Sequence, residues 1–173
     1  MKAARFVPLL CPRCSGDLSG RAIDRVAFCR PCRAAYLCSG QGLVAIETAR
    51  VIGPPSGEGA LIHLPFWVEA PAVMPAFYSG RPLTLSRVAA QRLDTWEVEQ
   101  DLPNPPPFGA RLDPTRIAEV ARLAGTPPPN GVPLTLLAVP ARIDGAQLRI
   151  PGYEGKLYGE DVVESRTLIH LAC

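Results

Sequence analysis

The sequence predicts an α+β protein, and three observations carry that prediction. Two Cys-x-x-Cys pairs stand near the N-terminus, Cys11-Pro-Arg-Cys14 and Cys29-Arg-Pro-Cys32. Further on, apolar runs of strand length flank two stretches with helical periodicity. Near the C-terminus Asp144-Gly145 separates two apolar-rich runs, a strong signal for a two-residue hairpin turn. Strand groups on either side of a helical section suggest α+β architecture.

The cysteine pairs are separated by 14 residues, giving C-x2-C-x14-C-x2-C. Structural zinc takes four ligands in a tetrahedron, and thiolates are common among them. A Cys-x-x-Cys turn puts two sulfurs on one side of the backbone, and two facing turns complete the tetrahedron. The spacing therefore predicts a rubredoxin-like zinc ribbon over residues 5–48, with Cys11, Cys14, Cys29 and Cys32 as the metal ligands. Gly16 is the expected left-handed position after the first turn. Strands are expected at Asp24–Phe28, Arg33–Cys38 and Gly42–Ile46. A segment this short cannot bury much core, so a metal or disulfides should hold it. The same four thiolates suit iron, and spacing does not separate the two metals. Disulfides are disfavoured because the chain shows no export signal. A thioredoxin-like redox pair needs a βαβ context that this segment lacks. Cys38 and Cys173 are left over. Cys38 is expected as a small buried side chain, with a replacement ligand or a reactive thiol as alternatives.

With 173 residues the chain has room for one medium domain or two small ones. Apolar residues make up 47% and charged residues 20%, a balance that supports folding. No apolar run reaches the length of a membrane span, and a cytoplasmic location is expected. The net charge of +2 excludes no class of partner. Residues 1–48 are mildly basic and the remainder mildly acidic, too small an imbalance to argue for nucleic acid. Twenty prolines and fifteen glycines break the chain into short elements.

Residues 49–59 read as a linker or loop, from the Gly-Pro-Pro-Ser-Gly-Glu-Gly run at 53–59. Residues 60–173 read as an α+β domain. Ala60–Ala70 is expected as a strand with Pro65 at an edge or bulge, because proline has no amide donor. Val73–Tyr78 should be a second proline-interrupted strand. Thr84–Trp96 has near-helical apolar spacing. Asp113-Pro114 is a helix start, with Asp as cap and Pro in the first turn, and Gly125 with Pro127 a stop. Leu134–Ile143 and Ala146–Ile150 should form the hairpin, followed by short strands at Gly155–Val163 and Thr167–Ala172.

Two resemblances follow from quoted motifs. Leu10-Cys-Pro-Arg-Cys-Ser-Gly-Asp-Leu18, the second cysteine pair, and Tyr36 followed by Gly42-Leu-Val resemble the small zinc-ribbon activating subunits of methyltransferases. That family usually carries Gly-Ile-Pro after the aromatic residue, where this chain has Gly42-Leu-Val-Ala, and it has no counterpart of the long C-terminal region. Leu64-Pro-Phe-Trp67, Pro75-Ala-Phe77 and Leu137-Ala-Val-Pro-Ala-Arg-Ile-Asp-Gly145 resemble a group of uncharacterised bacterial zinc-ribbon proteins. That second resemblance implies a ribbon joined to an α+β domain and implies no reaction.

His63 and His170 are the only histidines, each in an aliphatic strand, and are expected to be partly buried. No nucleophile motif and no phosphate loop stands out, so no catalytic or cofactor-binding residue is assigned. Phe66, Trp67, Phe77 and Tyr78 should pack a core, the alternative being a docking surface. Glu97, Glu99 and Asp101 read as a solvated helix end. The preferred function is a non-enzymatic adaptor with a structural zinc site and another protein as partner. The first alternative is nucleic-acid binding by Arg13, Arg21, Arg25, Arg30 and Arg33, with Phe28 or Tyr36 stacking. The second is redox or metal handling through Cys38 or an iron-loaded site.

Overall fold

The computed structural model describes residues 10–21, 23–107, 109–144, 147–153 and 157–158. Among them, ten strands form one sheet, with two α-helices packed on it. The mixed α+β class expected from the sequence is what is found.

The N-terminal part is an antiparallel meander of β1 (Leu18–Ser19), β2 (Val26–Cys29), β3 (Ala35–Ser39) and β4 (Gly42–Val51). β4 then continues without a break into the rest of the molecule. Its first half pairs with β3, and Glu47–Arg50 pair in parallel with Thr135–Ala138 of β8 (Thr135–Asp144). Residues 49–51, expected as the start of a linker, are therefore strand, and irregular chain begins only at Ile52. β5 (Ala60–Glu69) lies against the other side of β8, and β6 (Ala72–Pro75) flanks β5. Two residues, Val98–Glu99, make the short β7 beside Arg50 and Val51.

Pro65 is not at a sheet edge, since β5 has a neighbour on each side. Its carbonyl accepts from the Ala76 amide, 2.9 Å away, on the β6 side. Its amide position therefore faces the point where β6 has just ended. Pro140 in β8 sits opposite His63, two residues along from the Pro65↔Ala138 pair, and so has the same phase. Both prolines direct their missing donors away from the β5–β8 ladder, and the ladder survives.

Strand periodicity sorts the core. Ile62, Leu64, Phe66 and Val68 of β5 join one buried cluster with Val73, Leu137, Val139 and Ala141. Trp67, between them in sequence, joins a second cluster with Ala72, Met74 and Leu136. Successive side chains point to opposite faces of a strand, so this part of the sheet is buried on both faces. The first cluster is completed by Leu85, Val88 and Ala89 of α1 (Pro82–Arg92) and by Trp96. The second is completed by Ile117 and Ala121 of α2 (Ile117–Ala124) and by Val26, Phe28 and Ala35 from β2 and β3. The cysteine-bearing segment thus shares a core with the C-terminal region.

α2 follows its local signals closely. Asp113 caps the 3₁₀ turn that leads into it, accepting from the Thr115 amide at 3.1 Å. Gly125 ends it in the left-handed conformation, φ 69°. The β8–β9 hairpin is present, with β9 at Gln147–Arg149, but Asp144 is still paired, with Gln147. The turn lies one residue beyond Asp144-Gly145, so Ile143 pairs with Leu148 rather than Ala146, and the connecting residues lie outside the described ones. β10 (Leu157–Tyr158) pairs with β9. The remainder of the expected strands at 155–163 and 167–172, together with His170 and Cys173, lies outside the described residues.

The acids at 97–101 are not a helix end, since α1 stops at Arg92, although Glu97 and Glu99 are exposed as expected. Glu99 lies in β7 and its Oε2 accepts from Arg50 Nε at 2.9 Å, while Asp101 accepts from Arg33 at 2.7 Å. The docking reading of the aromatic strands is also overturned for three of its four residues. Phe66, Trp67 and Phe77 are fully buried, and Trp67 donates its indole N–H to the Leu112 carbonyl. Phe66 and Phe77 meet edge to face with centroids 5.8 Å apart. Tyr78 alone is exposed.

Candidate metal centre

The same two-residue period that builds the core also builds the site. In β2, Val26 and Phe28 enter the shared core while Ala27 and Cys29 face the other way. In β3, Ala35 enters the core, with Leu37 packed against it, while Tyr36 faces the site with Cys38 beside it. Cys11, Leu18, Ala27, Cys29 and Tyr36 make a small buried cluster of their own on that face.

Each cysteine pair sits on a turn of the same design. The Cys11 amide donates to the Gly16 carbonyl, and the Cys29 amide donates to the Ala34 carbonyl, both at 2.8 Å and both five residues along. In each turn the residue after the second cysteine takes a left-handed backbone, Ser15 and Arg33 both with φ 58°. Gly16, expected in that role, has another one. A Cβ there would lie 3.0 Å from Pro31 Cγ and 3.3 Å from Cys14 Sγ. Glycine lets the first turn approach the second.

The ligand atoms of Cys11, Cys14, Cys29 and Cys32 all lie within 4.8 Å of one another. Across the two turns, Cys11 and Cys32 sulfurs are 3.5 Å apart and Cys14 and Cys29 sulfurs 3.4 Å apart. A tetrahedron with metal–sulfur bonds of about 2.3 Å has edges of about 3.8 Å, so the cage has the size a metal ion needs. Sulfurs at these distances are not disulfide-bonded, since that bond is about 2.05 Å long. The four residues could hold a metal ion, and their donor set suits zinc and iron alike.

The electrostatics of the four thiols are uneven. Burial pushes the Cys11 thiol up, but the Tyr36 hydroxyl and the Arg13 and Cys14 amides outweigh it, holding Cys11 down at about 6. The Tyr36 oxygen is 3.3 Å from Cys11 Sγ, and that contact, with burial and the surrounding sulfurs, raises Tyr36 to about 12. Cys29 is drawn down by the Cys32 amide, but burial and the neighbouring thiols push it up to about 12. Four thiolates cannot crowd together uncompensated, and a bound metal cation would supply the compensation.

Other candidate residues fall outside the cage. Cys38 packs beside it, half-buried, and burial raises its thiol pKa, outweighing the Ala27 amide. Its sulfur is not among the four that lie together, and a raised thiol pKa lowers its thiolate fraction. His63 is partly buried, as expected, and burial with the charge of Arg50 lowers its pKa. Phe28 and Tyr36 are buried at 1% and 4% exposure and offer no stacking face to a nucleic acid. Arg25 and Arg33 are engaged with Asp113 and Asp101, whereas Arg13 and Arg30 are exposed.

Sequence reasoning missed the Tyr36 contact and the clamp behind the site. Asp24, its side chain 1% exposed, accepts from the Gly109 amide at 3.0 Å and faces Arg111. The Arg25 amide donates to Ala110, and the Arg111 and Leu112 amides both donate to Ala76. Tyr36 lies two residues from Cys38 on a strand whose alternate positions face the cage, a signal that period-2 reading could have used.

No family model matches this chain, and no curated protein or solved structure matches it. The two family resemblances therefore rest on their quoted motifs alone. No described helix is long and apolar enough to cross a membrane.

Proposed function

We propose that this chain is a non-catalytic protein whose rubredoxin-like ribbon carries one structural zinc ion, and that it works by binding another protein. The observation that carries the reading is the cage itself: four sulfurs within 4.8 Å, two of them buried, supply a complete tetrahedral set. A site closed by four protein thiolates keeps no open position for a substrate or a reactive water. Zinc binding of this kind contributes roughly 10–16 kcal/mol in small finger peptides, a large addition for a segment whose own buried cluster is small. The exposed side chains Ile23 and Val44, at 63% and 53%, offer apolar contact to a partner beside the ribbon. The buried aromatics Phe28 and Tyr36, and the ion pairs of Arg25 and Arg33, favour this reading over nucleic-acid binding.

The test combines metal analysis with partner capture. A colourless purified chain with one zinc, and a partner recovered by wild type but lost with Ile23→Asp or Val44→Asp, supports the proposal. Iron in the purified chain, or substrate turnover by the isolated chain, overturns it.

A further inference from the structure

We propose that Cys14 is the sulfur through which the metal centre reacts with soft electrophiles, Cys11 and Cys29 being its shielded ligands. The inference rests on the zinc-loaded reading above. The four ligands differ sharply in cover. Cys11 is 2% exposed and Cys29 0%, Cys32 is intermediate, and Cys14 is exposed.

Hydrogen bonding deepens the contrast. Cys11 Sγ is contacted by the Tyr36 hydroxyl at 3.3 Å and by the Arg13 amide at 3.4 Å. Each draws electron density from the sulfur and lowers its nucleophilicity. Tyr36 is itself buried, at 4% exposure, and so is the Cys11 side chain that it contacts, at 2%. Cys14 contacts the Cys29 sulfur and has no comparable hydroxyl partner among the described residues. Residue 16 carries no side chain, and a Cβ there would sit 3.3 Å from Cys14 Sγ.

With a maleimide the step balances simply. The Cys14 sulfur forms a C–S bond to an alkene carbon and gives up its bond to the metal. The alkene electron pair becomes an enolate, which takes a proton from water. The product thioether is uncharged and a poorer ligand, so the remaining three sulfurs hold the ion less firmly.

The experiment uses the full zinc-loaded chain and less than one equivalent of N-ethylmaleimide. Zinc content is measured beforehand, zinc release is followed with a chromogenic chelator, and modified cysteines are mapped by peptide mass spectrometry. Cys38 and Cys173 are mapped separately and do not enter the ranking of the four ligands. Cys14 should be modified ahead of Cys11 and Cys29 by at least about tenfold, and zinc release should track its modification. A zinc-loaded chain in which Cys11, Cys29 or Cys32 leads, or in which all four react together from the start, overturns this inference alone. A chain that carries no zinc overturns the zinc reading, and the inference with it.

Discussion

Arg111 lies against Asp24 with its Nε 3.4 Å from Asp24 Oδ1, and the two side chains are only 10% and 1% exposed. The pair joins the loop before β2 to the segment that leads into α2. Breaking a buried pair by deleting one partner typically costs about 3–5 kcal/mol, because the remaining charge is left without compensation. Asp24→Ala also abandons the Gly109 amide. It should therefore destabilise the whole chain by about that amount in a denaturant titration. Replacing both partners, as Asp24→Asn with Arg111→Met, should recover part of the loss. A loss below about 1 kcal/mol for Asp24→Ala would show that the pair is solvated.

Phe28 tests the shared core. It is 1% exposed and belongs to the cluster that holds Trp67, Met74 and Ile117. Phe28→Ala should cost about 3–5 kcal/mol through lost burial and a residual cavity. Because the cluster spans both regions, tryptophan fluorescence and metal release should shift together and keep one midpoint. Two separated midpoints would mean that the ribbon unfolds by itself.

His63 should make stability depend on pH. Burial, with Arg50 second, lowers its folded pKa below the unfolded value of about 6.5. Folding therefore favours the neutral ring. That contribution is fully present above about 6.5 and is lost as pH falls toward the lower folded pKa. Compared at pH 7.5 and pH 5.5, wild type should lose more stability than His63→Gln. An equal or larger loss in the variant would remove His63 from the account.

The sequence was most legible where structure depends on residues a few positions apart. The cysteine spacing marked the metal cage, and Asp113-Pro114 with Gly125 marked α2 and its left-handed end. The same kind of signal misplaced details: the left-handed residue is Ser15 rather than Gly16, and the hairpin turn lies one residue further along. Least legible was everything set by distant partners. Nothing near Glu47 shows that it pairs in parallel with Thr135, so β4 looked like a strand that should stop near Ile46. Glu99 is solvent-exposed and Asp101 partly so, as they looked, but their pairing with Arg50 and Arg33 could not be read because those partners lie far away in sequence. Pro65 looked like an edge marker because the position where β6 ends cannot be read from β5. The contact of Tyr36 with Cys11 escaped notice for a different reason. The alternation of Tyr36 with Ala35 and Leu37 was visible, but which face held the metal followed only from the fold.

The central claim is that the metal centre supports a core reaching well beyond the ribbon. Hydrogen exchange on the zinc-loaded chain, before and after chelation, tests it most directly. On removal of one equivalent of zinc, protection should fall in β2 and β3 and also in Ala72–Ala76 and around Ala110–Leu112, which pack on or clamp the back of the site. Loss of protection confined to residues 10–39, with Ala72–Ala76 unchanged, would contradict the account.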